Sequence, residues 1–303
     1  GWSDSEQQVA VLLERGARRV NPFILSGAPP LGPGVEIAAA TGAQGPQTTF
    51  GSGCPASLQA IHHGAMLVES GVVDACIVGG SEAPLSPLTF AALSRTGELS
   101  TNDDPARAAC PFDAGHAGMV LSEGAAMLLL EASETARARG ATIYASLLGG
   151  AFSCDARGLY GADDGGAAGA AAIRRLLTSS GTRPDELDYI CAHANASPFF
   201  DRKEIGVLSA ALGEFLPRVP ISSIKGVIGH PFGASGAFQL AATCLAIAHG
   251  LIPPTANLET PAAECRACHV VSAPLDRPIH RALVTSYGYG GVNGYLLVGA
   301  PPS

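Results

Sequence analysis

Residues 48–57 have the sequence TTFGSGCPAS, in which a short β-like run is followed by small residues, a cysteine and a proline. The proline suits the first turn of a helix, because its missing N–H would have no partner there. The apolar pattern predicts a helix over Cys54–Ser70, and Gly71 can take the left-handed conformation that ends a helix. A strand ending in glycines is predicted at Asp74–Gly80. This order of elements predicts an α/β fold.

The same alternation continues through the rest of the chain. Further strands are predicted at Met119–Glu131, Thr142–Gly150, Tyr189–His193, Val219–Ser222, Leu283–Ser286 and Val292–Val298. Helices are predicted at Ala167–Ser179, Asp201–Leu212 and Ala234–Ala248. Several strands lack polar alternation, which is typical of a sheet covered on both faces. The sequence therefore predicts layers of helices and sheets.

No low-complexity linker divides the chain, so residues 1–303 are predicted to form one domain. A glycine-ended strand pattern occurs in each half, at Gly79-Gly80 and at Gly288–Gly291. This recurrence indicates an internal duplication, with residues 1–150 and 151–303 as the two halves.

Composition narrows the class of protein. Of the 303 residues, 47% are hydrophobic and 15% charged, which favours a large core over a disordered chain. The net charge of −8 argues against nucleic acid as a partner, because that binding depends on Lys and Arg. Eight cysteines without dense pairing or a signal peptide predict free thiols in the cytoplasm. The apolar helix candidate Ala237–Ala248 is far shorter than the roughly 20 residues of a membrane span, so no membrane segment is predicted.

Cys54 opens the first of four segments suited to covalent catalysis. Unpaired N–H groups and the dipole at a helix start favour its thiolate form, and a buried structural thiol is the alternative. His193 ends a predicted strand, where α/β folds place working side chains, although histidines there are also found as core or surface residues. Asp201 and Glu204 follow, either as supports of this histidine or as first-turn acids of a helix.

The third and fourth segments are rich in glycine. In residues 222–236, Lys225 and His230 stand among glycines that let a substrate approach closely. In residues 286–294, glycines expose the backbone N–H of Tyr289 as an oxyanion donor. A simple glycine-rich turn and a hairpin with a core aromatic are the respective alternatives.

Taken together, the four segments resemble the β-ketoacyl synthases, the condensing enzymes of fatty-acid and polyketide synthesis. Pro111-Phe-Asp113, Ser122–Ala125 and Ile252–Asn257 are also similar to landmarks of that family, and the resemblance extends from near Gly1 to about Val298. It implies a thiolase-like helix–sheet–helix–sheet–helix fold with internal duplication, in which the N-terminal part is incomplete. We therefore expect strand edges and apolar surface to be exposed in that part.

The resemblance implies a decarboxylative Claisen condensation of an acyl thioester with a malonyl thioester. Cys54 would carry the acyl group, and His193 and His230 would stabilise the enolate. It also implies further roles: amides of Cys54 and Tyr289 in the oxyanion hole; Lys225, Glu204 and Asp201 in support; Asn195 and Ser197 at the pantetheine arm; Met119 and Tyr289 in the acyl pocket; and Arg15, Arg18 and Arg19 as a carrier-protein patch.

Three departures from the family pattern leave the Cys–His–His set intact. The usual His-Gly-Thr turn is His193-Ala194-Asn195, a proline follows the nucleophile, and Cys110 replaces the Arg before Pro-Phe-Asp. A noncatalytic partner resembling a chain-length factor is the alternative function, and retention of the catalytic residues argues against it. Cys265–His269 matches a haem-attachment pattern, which we interpret as coincidental.

The resemblance also implies partners. No permanently bound cofactor or metal is expected, because the substrates arrive on the phosphopantetheine of acyl carrier protein or on CoA. A homodimer, or a heterodimer with a ketosynthase-like chain, is expected around a strand at Gln47–Gly51. A separate chain supplying the N-terminal segment is a further alternative.

Overall fold

The computed structural model describes residues 2–27, 30–159, 161, 163 and 165–301; the predictions at Gly1 lie outside them. The helices α1 to α10 are Trp2–Arg15, Ile24–Gly27, Leu31–Thr41, Ala56–Glu69, Pro87–Thr96, Ser133–Ala138, Ala167–Ser179, Pro198–Leu212, Lys225–Ile228 and Ser235–His249. The strands β1 to β10 are Ala75–Glu82, Gly124–Glu131, Ser146–Cys154, Tyr189–Cys191, Pro220–Ser222, Leu251–Ile252, His269–Val270, Leu275–Asp276, Arg281–Gly288 and Val292–Gly299.

A six-stranded mixed sheet forms the centre of the C-terminal half, in the order β3-β10-β9-β4-β5-β7. The central strand β4 is parallel to β9 and to β5, whereas β10 is antiparallel to β3 and β9. Helices α7 and α8 pack together near one face, and α4 and α10 cover the other. Residues 282–288 of β9 and 293–299 of β10 are buried, as expected for strands covered on both faces.

A second sheet pairs β1 with β2 in antiparallel register, from Ala75 opposite Glu131 to Glu82 opposite Gly124. Both strands pack on α4 and α10, so these two helices lie between the two sheets. The outer face is apolar and open to solvent, with Met127 43% and Leu129 53% exposed.

Helix α4, which follows the nucleophile, begins and ends close to the residues predicted from the sequence. Pro55 is its N-cap, and Gly71 adopts φ +71° just after its end, donating its N–H to the carbonyl of Val68. The helix predicted at Ala167–Ser179 is confirmed to the residue. Strong local signals sufficed at these positions.

Three strand predictions need correction. The strand predicted from Met119 begins at Gly124, because the residues before it form isolated bridges with Leu99 and with His230. The strand predicted at Thr142–Gly150 is shifted to Ser146–Cys154, where it pairs with β10. Residues 47–51 form no strand, since within the described part of the chain no strand lies beside them to complete a ladder.

One helical stretch of the described residues, Phe232–His249, has the length and the mean hydropathy (1.2) of a membrane-spanning segment. Half of it is buried inside the protein. Most of the stretch is α10, which packs between the two sheets, and a helix in that position is apolar on several faces for packing reasons alone.

Candidate active site

The nucleophile candidate Cys54 lies in the turn that leads into α4. Gly53, with φ +73°, makes this turn, and its carbonyl accepts the N–H of Ala56. The thiol is 4% exposed, and its Sγ lies 3.3 Å from Nε2 of His230, a residue 176 positions away in sequence. The fold therefore joins a thiol to an imidazole at hydrogen-bonding distance.

Burial dominates the electrostatics of this thiol. It raises the pKa of Cys54 to about 12, although the charge of Lys225 and a backbone hydrogen bond act in the opposite direction. Burial therefore opposes the thiolate form that the helix start is expected to favour. A neighbouring base that takes the thiol proton would assist attack of Cys54 on a thioester.

His230 is placed to be that base. Its Nδ1 lies 2.9 Å from the hydroxyl of Ser235, and its backbone N–H donates to the carbonyl of Val120 at 2.7 Å. Burial, and secondarily the charge of Lys225, lowers the pKa of His230 well below its usual value. The ring is therefore neutral, and it has partners at both nitrogens.

His193 stands just beyond the end of β4, with its ring centroid 5.1 Å from that of His230 and the two planes at 86°. Phe200 and Tyr287 flank it at 5.5 and 5.8 Å between centroids. Neither ring nitrogen has a hydrogen-bond partner among the described residues, although both are buried. Burial lowers the pKa of His193 well below its usual value, so a neutral ring with an unused N–H faces the site.

The backbone of His193 is held by a buried carboxylate. Its N–H donates to Oε1 of Glu204 at 2.9 Å, and the N–H of Ala194 donates to Oε2 at 2.7 Å. The hydroxyl of Thr285 donates to the same Glu204 carboxylate. Burial raises the pKa of Glu204 to about 7. Glu204 thus positions the histidine through its peptide groups and makes no contact with its ring.

Lys225 acts on the same turn from the other side. Its Nζ donates to the carbonyl of His193 and lies 3.4 Å from Oε1 of Gln239. Burial lowers the pKa of Lys225 to about 8. Lys225 thus contacts the backbone of His193, the residue it is expected to orient.

Gln239 was not among the predicted site residues. Its Nε2 donates to the carbonyls of Cys191, Ala192 and Thr285, at 3.2, 2.8 and 3.0 Å. It thereby joins α10 to the strand ends that carry the site. The sequence signal that could have identified Gln239 is its position as a polar residue in an otherwise apolar helix, because a buried amide requires hydrogen-bond partners.

The residues predicted for the pantetheine arm lie in the turn after His193. Asn195 and Ser197 are buried, and Ser197 caps α8 by accepting the N–H of Phe200. The side-chain amide of Asn195 lies 3.7 Å from the sulfur of Met119, the residue predicted for the acyl pocket. Met119 in turn belongs to an apolar cluster with Leu93. The structure thus brings together Asn195 and Met119, one residue from each predicted set.

The predicted oxyanion turn lies against the nucleophile. A Cβ at Gly288 would stand 3.3 Å from the backbone nitrogen of Cys54 and 3.1 Å from Cδ of Pro55, so a side chain at this position would be tightly packed against the nucleophile turn. Tyr289 follows directly, with its side chain 40% exposed and its ring 5.6 Å from that of Phe200. The two predicted amide donors, of Cys54 and Tyr289, therefore belong to adjoining segments.

A buried ion pair anchors the other side of this turn. Nζ of Lys203 lies 2.6 Å from the carboxylate of Asp155, and the Asn293 amide donates to the same group at 2.8 Å. The backbone N–H of Asp155 donates to the carbonyl of Gly291. The sequence offered little sign of this pair, since its members are 48 positions apart.

The predicted carrier-protein patch lies apart from these buried groups. Arg15 ends α1, and Arg18 and Arg19 lie in the following 3-10 turn, all three exposed.

Within the described residues, no group of three or more His, Cys, Asp or Glu is arranged to hold a metal. In the haem-like segment, burial raises the pKa of both the Cys265 and the Cys268 thiol.

Comparison with known proteins identifies the family of this chain. Residues 1–136 match the family described as "Beta-ketoacyl synthase, N-terminal domain", and residues 144–259 match its C-terminal domain. The chain is 39% identical, over 88% of its length and 63% of the relative, to the tetracenomycin polyketide synthase ketoacyl synthase alpha subunit of Streptomyces glaucescens. It is 37% identical, over 95% of its length and 70% of the relative, to 3-oxoacyl-[acyl-carrier-protein] synthase 2 of Synechocystis.

Solved structures agree with these relatives. A ketosynthase bound to the hexaketide, in complex with its type II PKS acyl-carrier protein, has a TM-score of 0.93 and 28% identity over 98% of this chain and 75% of that one. The ishigamide ketosynthase/chain length factor has a TM-score of 0.90 and 28% identity, covering 99% of this chain and 72% of that one. The chain spans between 56% and 73% of the length of eight curated relatives, which include the two named above. The thiolase-like fold predicted from the motifs is confirmed, and the chain belongs to the β-ketoacyl synthase family.

Proposed function

We propose that this chain is a condensing acyltransferase of the 3-oxoacyl-[acyl-carrier-protein] synthase type, acting in fatty-acid or polyketide synthesis. The observation that carries the proposal is the contact between Cys54 and Nε2 of His230, beside a second histidine, His193, with unused ring nitrogens. Nucleophile, base and carbonyl-directed donor are the three groups that acyl transfer followed by condensation needs.

The first step transfers an acyl group to Cys54. Nε2 of His230 takes the thiol proton, and the sulfur attacks the carbonyl carbon of an acyl thioester. The amides of Cys54 and Tyr289 stabilise the tetrahedral oxyanion. When this intermediate collapses, the carbon–sulfur bond to the carrier breaks, and His230 returns the proton to the departing thiolate.

The second step uses both histidines as neutral donors. N–H groups of His193 and His230 bind the carbonyl oxygen of a malonyl thioester, so that loss of CO2 leaves an enolate whose negative charge is stabilised. The enolate carbon attacks the acyl carbonyl, and the carbon–sulfur bond to Cys54 breaks. The sulfur leaves as a thiolate, which then takes a proton from solvent. His230 can change tautomer between the steps because the Ser235 hydroxyl at its Nδ1 either donates or accepts.

The substrates in this proposal are carried on the phosphopantetheine of acyl carrier protein or on CoA, with no permanently bound cofactor. One structural relative is a ketosynthase with its acyl-carrier protein, which supports the carrier protein as a partner. Arg15, Arg18 and Arg19 supply exposed positive charge that would attract an acidic carrier, despite the net charge of −8. The cytoplasm is the location that suits these substrates and the free thiols.

We also propose a dimer with a second ketosynthase-like chain, identical or different. A structural relative described as a ketosynthase/chain length factor supports such a pairing. Exposed apolar side chains concentrate in α1 to α3 and on the outer face of the β1–β2 sheet: Val9, Leu12, Leu13, Phe23, Leu25, Leu31, Val35, Met127 and Leu129. Such a surface needs a cover, which the partner chain would provide. A noncatalytic role resembling a chain-length factor is the second candidate, and the intact Cys54–His230 contact argues against it.

Intact-mass analysis with a panel of acyl thioesters tests the proposal. The wild-type protein should gain one acyl group, Cys54→Ala should gain none, and Cys244→Ala is the matched control that should behave as wild type. Burial raises the pKa of Cys244 to about 11, so it is a poor nucleophile without a neighbouring base. Addition of malonyl thioester should then release CO2 and the condensed product. Equal acylation of wild type and Cys54→Ala would refute the assignment.

A further inference from the structure

His116 contacts Asp201, a buried carboxylate at the start of α8. Its Nδ1 lies 3.1 Å from Oδ2 of Asp201, and the two side chains are 11% and 0% exposed. His116 belongs to the N-terminal half, whereas Asp201 lies in the first turn of α8. The pair is thus a buried, polar connection between the two halves of the molecule.

The carboxylate of Asp201 organises the loop before α8. Its Oδ1 accepts the N–H groups of Asn195 and Ala196 at 3.0 and 3.2 Å, and Oδ2 accepts the N–H of Phe112 at 2.7 Å. Ala196 has φ +71°, a conformation that costs free energy for any residue except glycine. A further hydrogen bond, from the N–H of Gly118 to the carbonyl of Ala196, holds the same residue. The loop keeps this shape because these hydrogen bonds hold it there.

A fully buried carboxylate needs a compensating charge as well as N–H donors. Among the described residues, the ion pair within 4 Å that Asp201 makes is the one with His116. A protonated His116 therefore strengthens the anchor, and a neutral one leaves Asp201 with hydrogen bonds alone.

We propose that His116 is a positioning residue, which acts through Asp201 to hold the Asn195–Ser197 turn in the shape that receives the pantetheine arm of the substrate. The proposal rests on the proposed function, since it assumes a thioester substrate with such an arm. His116 itself contacts the anchor of the turn, and the turn contacts the substrate.

The charge of His116 makes this positioning depend on pH. The hydrogen bond to Asp201 raises the pKa of His116, burial opposes it, and the charges of Asp201, Glu264 and Asp113 also raise it. Asp113 is occupied by the N–H groups of Gly115, Glu259 and Thr260. Because His116 is a base with a raised pKa, its charge is present below that pKa and lost as the pH rises through it. Binding of the arm should weaken over the same interval.

Three forms of the protein test the inference: wild type, His116→Arg, which keeps a positive charge at every working pH, and His116→Gln, which keeps a donor without charge. The measurement is KM for acylation of Cys54 by an acyl-pantetheine thioester, from about pH 6 to about pH 9. Wild type should show a KM that rises with pH, His116→Arg a low and flat KM, and His116→Gln a KM raised by about tenfold at the acid end and flat.

Two controls separate positioning from other effects. Alkylation of Cys54 by iodoacetamide needs no pantetheine arm, so its rate should be the same in all three forms. His280→Gln removes an exposed histidine outside the site and should leave the wild-type KM profile unchanged. Melting temperatures show whether each variant is folded. If His116→Gln does not fold, the comparison of the KM profiles of wild type and His116→Arg still tests the inference.

The outcomes are distinguishable. A KM profile in His116→Arg that rises with pH as in wild type would overturn the inference, as would a folded His116→Gln with a wild-type KM. A wild-type protein that no acyl-pantetheine thioester acylates would instead contradict the proposed function, and the inference would be lost with it.

Discussion

The two histidines of the site lie 5.1 Å apart between ring centroids, yet their surroundings fix different parts of the residue. The ring of His230 contacts Cys54 and Ser235, one at each nitrogen. The ring of His193 has no hydrogen-bond partner among the described residues, while Glu204 and a buried lysine hold its backbone. In one region a thiol and a hydroxyl contact the ring itself, and in the other the contacts fix only the backbone that carries the ring. The comparison teaches that neighbouring residues of one type can be assigned to a base and to a donor by their partners alone.

The largest expected effect is in the His230 region. His230→Ala removes both the base for Cys54 and one enolate donor, so acyl transfer should fall by about a thousandfold and condensation with it. Single-turnover acylation followed by intact mass measures the first step. Acyl transfer at the wild-type rate would show that His230 is a donor only, and the contrast between the two regions would fail.

The next effect should separate the two steps. His193→Ala leaves the Cys54–His230 contact in place, so acyl transfer should stay within a few fold of wild type. Release of CO2 from a malonyl thioester should fall by roughly a hundredfold, because one oxyanion donor is lost. Equal losses in acylation and decarboxylation would contradict separate roles for the two histidines.

A smaller effect is expected from Lys225, which influences both regions. Its charge lowers the pKa of Cys54 against the effect of burial, so Lys225→Met should raise that pKa further and slow alkylation of the thiol by about tenfold below about pH 8, where Lys225 is charged. In wild type, the lowering of the Cys54 pKa by Lys225 should decline as the pH rises through about 8, because Lys225 loses its charge there. Lys203→Met, which removes the buried lysine paired with Asp155, is the matched control. Equal slowing in the two variants would exclude a specific effect of Lys225 on Cys54.

The smallest effect concerns the partner of His230. Ser235→Ala deletes the hydroxyl at Nδ1 but keeps the ring next to Cys54, so we expect acyl transfer to fall by about fivefold. The pH at which the acylation rate is half-maximal should shift, because the proton on His230 is less well held. A pH profile that matches wild type would show that Ser235 does not set the state of the ring.

The sequence alone determined the local features of this protein. The Gly–Cys–Pro turn, the helix ended by Gly71 and the helix at Ala167–Ser179 follow from backbone preferences and apolar periodicity, which act over a few residues. The spaced motifs also sufficed to recognise the family, because residue types in a fixed order are a property of the sequence itself.

Only the tertiary structure decided how these residues act. Burial of Cys54 raises its pKa to about 12, and desolvation depends on everything packed around a group, most of it distant in sequence. That Lys225 binds the His193 carbonyl, that Gln239 binds three backbone carbonyls and that His116 pairs with Asp201 all depend on contacts across at least 32 positions. Residues 47–51 show the converse case: they have a β-like pattern, but they form no strand because no neighbouring strand among the described residues pairs with them. Local patterns encode elements, whereas partners and burial exist only after the chain has folded.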